Sequence, residues 1–587
     1  MKYQLIKNSK NDLSNFLETV LLNRNIDDID SFKKSNSELL VHNSYSDLDN
    51  ISEGVELLLE NLNNKKRTTL IVDPDVDGIT SSAILYNYLK DAFGDISNIT
   101  PISHSGKGHG LSNDINVPED TEFLIIPDAG SNDYGEIERY HKKGIDILIL
   151  DHHLVDNGYS KDAVVINNQL SEKYTNKDFS GVGVVYRFLQ ALDDRLMLNN
   201  ADKYLDLVAI GLVADVMDTH SPETRYYIQE GLKKKNLKNP FLKQLLKFTK
   251  QSDRDLHRYM LALDVSFGIA PTLNATMRFG TEDEKLAVFK CFTATEEELK
   301  KNKTGKTVFD MCTQNKIEQN EDKNRSSNAI IKTLTKEQIK NDKILIIDAT
   351  GIIDKSLTGL TAMELANIYK RPVLIGTVTN GILGGSARNY SGFPCENLKT
   401  TLSETGLFNF LEGHEGAHGF SLPLENKDGV IKVWNEKYKD IKIEGNYAVD
   451  FIVDYKDLSN SDYYLVNNYR YLWGTGVSEP LFAIINIPFY PENIKLMGEK
   501  KNTAKYEYQG RGFIKFHLPE DDQLIQMAND YDLKKSYTLD VVGKVSMNYF
   551  AGRMSPLVMI EDYEIKEIPT GLGAFNEAKT NDIWGEI

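Results

Sequence analysis

The sequence predicts an α/β architecture: a parallel-sheet domain and a second α/β domain, joined by a helical connector and followed by an all-β C-terminal part. Three observations predict it. Short apolar runs alternate with amphipathic stretches from Thr68 to about Asp218, the pattern of strand–helix–strand units with parallel strands. The alternation returns between Lys343 and Val378. Beyond about residue 425 it gives way to β-type segments such as "YAVDFIVDY" and "GFIKFHL".

Residues 1–66 are acidic and Asn-rich and read as an N-terminal helical region without recognisable chemistry. The first α/β domain spans 67–224. Its strands are "TTLIVD", "TEFLIIPD" and "IDILILD"; its helices include "GITSSAILYNYLKDAF", "YGEIERYHKKG", "VGVVYRFLQAL" and "KYLDLVAIGLVADVM". Residues 225–335 are helical and highly charged and read as the connector. The second α/β domain, 336–425, holds "KILIIDAT", "LTAMELANIYK" and "RPVLIGTV". Residues 426–566 form the β-rich domain, and 567–587 read as a flexible tail ending in "NDIWGEI", a candidate docking peptide.

Composition narrows the function. With 587 residues there is material for three or four domains at about 100–200 residues each. No stretch approaches the roughly 18 apolar residues of a membrane span. The start, "MKYQLIKNSKNDL", lacks the apolar centre of a signal peptide, so a cytoplasmic location without membrane association is expected, the host cytoplasm for a phage-encoded chain. Asn-, Lys- and Tyr-rich usage fits a bacterial or phage source. Cys291, Cys312 and Cys395 are scattered, against a disulfide framework or a thiolate zinc site. The net charge of −18 argues against an evenly basic nucleic-acid footprint. Yet residues 233–250, "KKKNLKNPFLKQLLKFTK", hold seven lysines and no acid. That run reads equally as a strand-tracking stripe or as a solvated helix face.

The chemistry lies where elements end. "LIVDPDVDG" gives Asp73, Asp75 and Asp77; "LIIPDAG" gives Asp128; "LILDHH" gives Asp151, His152 and His153; "GLVADVMD" gives Asp215. In an open parallel sheet, ligands bind at the carboxyl ends of the strands, so three strands deliver acids and imidazoles to one rim. Crowded carboxylates repel one another and hold their protons unless a cation neutralises them. Aspartate oxygens with imidazole suit Mn²⁺ or Mg²⁺. Two such ions generate a hydroxide and clamp a phosphoryl group, so the set predicts metal-dependent phosphoester chemistry. "DPDVDG" alone also fits a turn or half a calcium loop, but Asp73 follows a strand and the helices of an EF-hand are missing.

At these residues the sequence resembles the DHH phosphoesterase superfamily, and within it the RecJ single-strand exonucleases. "DPDVDG", "PDAG", "DHH" and "LDLVAIGLVADVMD" match the family's acidic motifs in order. The resemblance implies that Asp75, Asp77, Asp128, His152 and Asp215 hold two Mn²⁺ or Mg²⁺ ions. It implies that Asp73 and Asp151 ligate or support them and that His153 faces the phosphate. Ile71 stands where some DHH enzymes carry a further histidine, which implies a weaker hold on the first ion.

"FGIAPTLNATMRFG" (267–280) is similar to the RecJ segment P-R-x-N-A-x-G-R; Asn274, Ala275 and Arg278 fit, while Thr272 and Met277 depart. "GKGHGLS" (106–112) resembles E-G-Y-G-L without the usual upstream arginine, leaving Lys107 or His104 to act in its place. "GILGGSARNYSGF" and "LEGHEGAHGF" resemble the DHH-associated domain; Ser386, Arg388 and His414 are its candidate DNA contacts, Arg388 as a fork for phosphate oxygens. Glu412 replaces a glycine usual there. "WGTGVSEPLF" and "SMNYFAGRMSPLVMIEDYEI" are similar to the OB-type barrel of long RecJ proteins, with Tyr549, Phe550, Arg553 and the segment around Arg511 and Lys515 as strand-binding candidates. Ordinary β packing is the alternative for each aromatic.

The resemblance, which covers residues 67–565, implies 5′→3′ hydrolysis of single-stranded DNA to mononucleotides in repair, recombination or replication. The alternatives are a phosphodiesterase of short oligonucleotides or cyclic dinucleotides, and a non-catalytic replication scaffold. Single-stranded DNA is the expected partner, with a single-strand-binding protein or replication and repair proteins beside it, and the chain is expected to be a monomer.

Overall fold

The computed structural model describes residues 1–6, 11–33, 43–106, 108–112, 114–155, 157–249, 260–390, 392–395, 397–441, 446–498, 500–530, 535–550 and 553–568. The chain divides into two units: 24–444 with 470–479, and 1–23 with 445–469 and 480–587. The strands in chain order are β1 (Lys2–Leu5), β2 (Thr68–Val72), β3 (Ile99–Ser103), β4 (Phe123–Pro127), β5 (Asp146–Asp151), β6 (Val164–Asn167), β7 (Leu345–Asp348), β8 (Val373–Thr379), β9 (Ile382–Arg388), β10 (Phe410–His414) and β11 (Ala417–Pro423). They continue with β12 (Asn446–Val449), β13 (Phe451–Asp454), β14 (Phe482–Phe489), β15 (Ile494–Met497), β16 (Thr503–Tyr508), β17 (Arg511–Lys515), β18 (Ser536–Phe550) and β19 (Arg553–Ile568).

In the larger unit, β3-β2-β4-β5-β6 form a parallel sheet in that order. Every residue of β2 and β4 is buried, which explains why both read as unbroken apolar runs. Leu70, Val72, Phe123, Ile125, Leu148 and Leu150 pack on one face against the helices Val76–Phe93, Gly181–Leu196 and Leu205–Ala214. Ile71, Leu124, Ile126, Ile147 and Ile149 pack on the other face, with Ile137 and Tyr140 of the helix Tyr134–His141. From β2 the chain crosses to β3 on one side; from β4 it crosses to β5 on the other. The neighbours β2 and β4 therefore flank the point where connections diverge, and a crevice opens at their carboxyl ends.

Helices from Pro222–Gly231 to Thr304–Ile331 form the connector region. The lysine run falls partly on the helix Pro240–Phe248, which buries Phe241, Leu242, Leu245 and Leu246 and leaves its lysines outside that apolar face. Glu230 pairs with Lys233 and, at 3.4 Å, with Lys235. Residue 250 lies outside the described residues. The second sheet has the order β10-β11-β9-β8-β7, parallel only between β7 and β8.

Two expectations change. All-β structure does not begin at residue 425: Lys427–Lys437 is a helix whose Val430 and Trp434, four residues apart, join the core of the second sheet. Nor is the N-terminal region wholly helical. Its first residues form β1, which pairs in parallel with β12, more than 400 residues away in sequence. A pairing at that separation leaves no local signal beyond the period-two burial of "KYQL".

In the smaller unit the sheet order is β13-β14-β18-β19-β17-β16-β15, with no pairing of β13 to β15 among the described residues. Phe16 stacks on Phe451 at 5.6 Å between ring centroids, and Phe451 on Phe482 at 5.0 Å. Of the tail, only residues 567 and 568 are described, as the end of β19; "NDIWGEI" lies outside. Among the described residues no helix is long and apolar enough to cross a membrane.

Candidate metal centre and nucleic-acid site

The acids collect at the carboxyl ends of β2, β4 and β5. After β2, Asp75 caps the helix Val76–Phe93, its Oδ1 accepting from the Gly78 N–H at 3.0 Å. Asp77, in the first turn, accepts from Ser180 Oγ (2.9 Å) and the Val182 N–H (3.2 Å). Asp73 accepts from the Gly110 N–H (3.0 Å) and lies 2.6 Å from His109 Nδ1. After β4, Asp128 has a φ of 68°, and its N–H donates to the Leu150 carbonyl at 2.7 Å. That left-handed conformation is costly for a residue with a side chain and is held here by its surroundings. A Cβ on Gly181 would fall 2.3 Å from Asp128 Oδ1, so only glycine fits there.

At the end of β5, Asp151 accepts from the Ser131 N–H (3.0 Å) and the His152 N–H (2.7 Å) and pairs with His153 Nδ1 at 2.7 Å. Fixing Nδ1 aims the other nitrogen of the half-exposed His153 ring outward. His152 is buried, with Nε2 3.2 Å from Asp128 Oδ1 and 3.5 Å from Asp215 Oδ2. Asp215 follows the buried helix Leu205–Ala214, and the next residue, Val216, is β-branched with a φ of 60°.

Three sets of potential ligand atoms lie within 4.8 Å of one another: Asp77, His152 and Asp215; Asp73, Asp75 and Asp128; and Asp128, Asp151, His152 and His153. Asp128 and His152 each belong to two of them, so the three sets form one continuous cluster. Asp77 Oδ2, Asp128 Oδ1 and Asp215 Oδ2 are buried without a hydrogen-bond partner. Burial first, and then neighbouring acids, hold Asp128 and Asp215 well above the usual carboxylate range and push Asp77 up to about 6. Buried, protonated or orphaned carboxyls are costly unless a cation meets them, so these residues fit divalent metal ions.

Around the acids the charge reverses. Burial raises Asp75, but Arg278, the Gly78 N–H, His109 and His153 outweigh it and leave its pKa below the usual range. His153 is pushed up to about 10: burial opposes its charge and Asp151 more than restores it. His109 is pushed up to about 9 by Asp73. Arg388 is brought down to about 10 by burial and by the like charge of Arg278. Arg278 thus acts electrostatically on both Asp75 and Arg388. Ser386 lies near Arg388 on β9, its hydroxyl 3.0 Å from Thr358 Oγ1.

Other predicted residues are placed differently. Asn274 is turned inward, its Oδ1 accepting from the Val76 N–H at 3.1 Å, so it ties the helix Ala270–Phe279 to the acid-bearing turn. His104 does not stand in for the missing arginine: it is fully buried and its Nε2 meets the Gly110 carbonyl at 2.9 Å. Lys107 lies outside the described residues, as does the side chain of His414, whose backbone belongs to β10. Tyr549 and Arg553 sit on the β18–β19 hairpin of the smaller unit; the Phe550 side chain is not described. Sequence reasoning missed His109, although "GKGHGLS" contained it; a histidine between two glycines, in a loop after a strand, was the available signal. It also missed buried Lys285, whose ammonium donates to the carbonyls of His104 (2.8 Å) and Gly106 (2.5 Å) and holds that loop.

A parallel sheet with this rim, beside a second α/β sheet that carries Arg388, defines a metal-dependent phosphoesterase. The model of the DHH family, N-terminal domain, matches residues 69–212, and that of the RecJ OB domain matches 449–562. A putative prophage-derived single-strand DNA-specific exonuclease, YorK of Bacillus subtilis, is 36% identical over 97% of this chain and 99% of its own. The single-stranded-DNA-specific exonuclease RecJ of the same species is 24% identical over 88% of this chain and 64% of its own. The crystal structure of RecJ from Thermus thermophilus in complex with Mn²⁺ superposes with a TM-score of 0.67 at 19% identity, covering 96% of this chain and 79% of that one. The chain belongs to the RecJ family of DHH-domain proteins, with a C-terminal domain of the OB type.

Proposed function

We propose that this protein is a metal-dependent exonuclease that hydrolyses single-stranded DNA from its 5′ end to mononucleotides. The observation that carries the reading is the rim itself, where buried carboxylate oxygens of Asp77, Asp128 and Asp215 that accept no hydrogen bond gather around His152. Asp75, Asp77, Asp128, His152 and Asp215 would hold the metal, with Asp73 and Asp151 fixing the neighbouring imidazoles. Two bound Mn²⁺ or Mg²⁺ ions supply a nucleophile at neutral pH and neutralise the phosphoryl oxygens. His153, oriented by Asp151, donates a hydrogen bond to a phosphoryl oxygen as charge builds there. Arg278 and Arg388 grip the terminal phosphate and so set polarity and register. Ser386 and His414 contact the strand near its end, and Tyr549 and Arg553 are the strand contacts offered by the OB-type domain.

Long single-stranded DNA labelled separately at each end tests this. With Mn²⁺, immediate mononucleotide release from the 5′ label, abolished by EDTA, supports the reading. Release from the 3′ label first overturns the polarity. Cleavage restricted to dinucleotides overturns the substrate.

A further inference from the structure

The helix that carries Asn274 and Arg278 does not begin as an ordinary α-helix. Residues Val265–Ile269 form a π-helical turn that runs directly into Ala270–Phe279. Such turns are rare and concentrate at functional sites, because the extra residue pushes a side chain out of the regular path. Here that side chain is Phe267, a large aromatic at 76% exposure. Single exposed apolar residues are common, so exposure alone says little.

Its position says more. Phe267 and Arg278 are exposed, with half-buried Pro271 and Asn274 spaced between them at helical intervals, whereas Ile269, Leu273 and Met277 are buried. The far end of the segment is fixed at the rim: Asn274 accepts from the Val76 N–H, one residue after Asp75, and Arg278 follows one turn later on the same helix. Phe267 lies seven residues before Asn274, about 10 Å along the helix. Bases stacked at about 3.4 Å per nucleotide cover that distance in roughly three steps.

We infer that Phe267 is a base-stacking platform for the single strand as it leaves the catalytic rim, taking a base about three nucleotides from the scissile phosphate. The inference rests on the nuclease reading above. A bare ring suits any base, as a sequence-independent nuclease requires, and its position opposite the arginine end would hold the stacked strand between the two.

The test is steady-state digestion of long single-stranded DNA with Mn²⁺ by the full chain and by Phe267→Ala, Phe267→Leu and Phe267→Trp. Mn²⁺ binding is measured in parallel by calorimetry. Stacking predicts that Phe267→Ala raises KM about 5-fold or more, the lower end of one stacked base, with Mn²⁺ affinity unchanged. Phe267→Leu stays equally defective and Phe267→Trp returns to the wild-type KM. 2-Aminopurine placed three nucleotides inward is quenched by the wild type and by Phe267→Trp in EDTA, and not by Phe267→Ala. A wild-type KM for Phe267→Ala, or full rescue by leucine, overturns the inference and leaves the nuclease reading standing. Failure of the wild type itself to degrade single-stranded DNA overturns both.

Discussion

Asp128 combines a backbone conformation that aspartate seldom adopts with a carboxyl that burial and neighbouring acids hold well above the usual carboxylate range. Without a cation, its ionised form is a net cost to the fold. Asp128→Asn is therefore expected to be more heat-stable than the wild type in EDTA at pH 8, to gain nothing from Mn²⁺, and to lose at least about 10³-fold in activity, near 4 kcal/mol of transition-state stabilisation. Thermal shift with and without Mn²⁺, beside a nuclease assay, reads all three. His153 differs: it is half exposed and held by Asp151, so His153→Gln is expected to lower kcat by about 10²–10³-fold while Mn²⁺ affinity stays near wild type. At this scale the sequence was informative, because each acid follows an apolar run that had to be a strand or a buried helix. What it hid was where a side chain turns. Asn274 reads like Arg278 in the one-dimensional pattern, yet Asn274 is spent on a backbone N–H inside the fold.

Elements position these residues through buried polar contacts that have no sequence signature. Glu223, on the helix Pro222–Gly231, pairs with Arg187 of the helix Gly181–Leu196 and accepts from Tyr174 Oη (2.6 Å), Asn43 Nδ2 (2.7 Å) and Asn176 Nδ2 (3.1 Å). Arg187 and Glu223 are both buried. Removing one partner leaves the other charge uncompensated, so Glu223→Ala is expected to cost about 3–5 kcal/mol in urea unfolding. The helix Gly181–Leu196 also presents Gly181 to Asp128, so the loss should propagate to the metal site and lower the Mn²⁺ affinity of whatever folded protein remains. The central strands β2, β4 and β5 were legible because parallel pairing buries both faces and writes an unbroken apolar run, whereas the edge strands β3 and β6, shorter in apolar sequence, were not read. The β1–β12 pair and the helix Lys427–Lys437 were not, because long-range partners decided them.

At the scale of the whole molecule, metal and stability are linked. Asp77, Asp128 and Asp215 hold protons to a higher pH in the folded chain than in the unfolded one. Their contribution to the metal-free protein is therefore present in full below the unfolded carboxylate pKa of about 4, and is withdrawn as pH rises, for Asp77 through about 6. Cations act in the opposite sense, since they need the ionised form. The rise in Tm on adding Mn²⁺ is expected to be large at pH 7.5 and small at pH 5, and differential scanning fluorimetry across that range checks it. The central claim is that one acidic rim both holds the metal and performs the hydrolysis. The most direct measurement is Mn²⁺ titration calorimetry on the wild type and Asp128→Asn, with single-stranded DNA digestion on the same samples. The account predicts two ions per chain and full activity for the wild type, and fewer than two ions with no measurable digestion for the variant. Two ions and retained digestion in Asp128→Asn would contradict it.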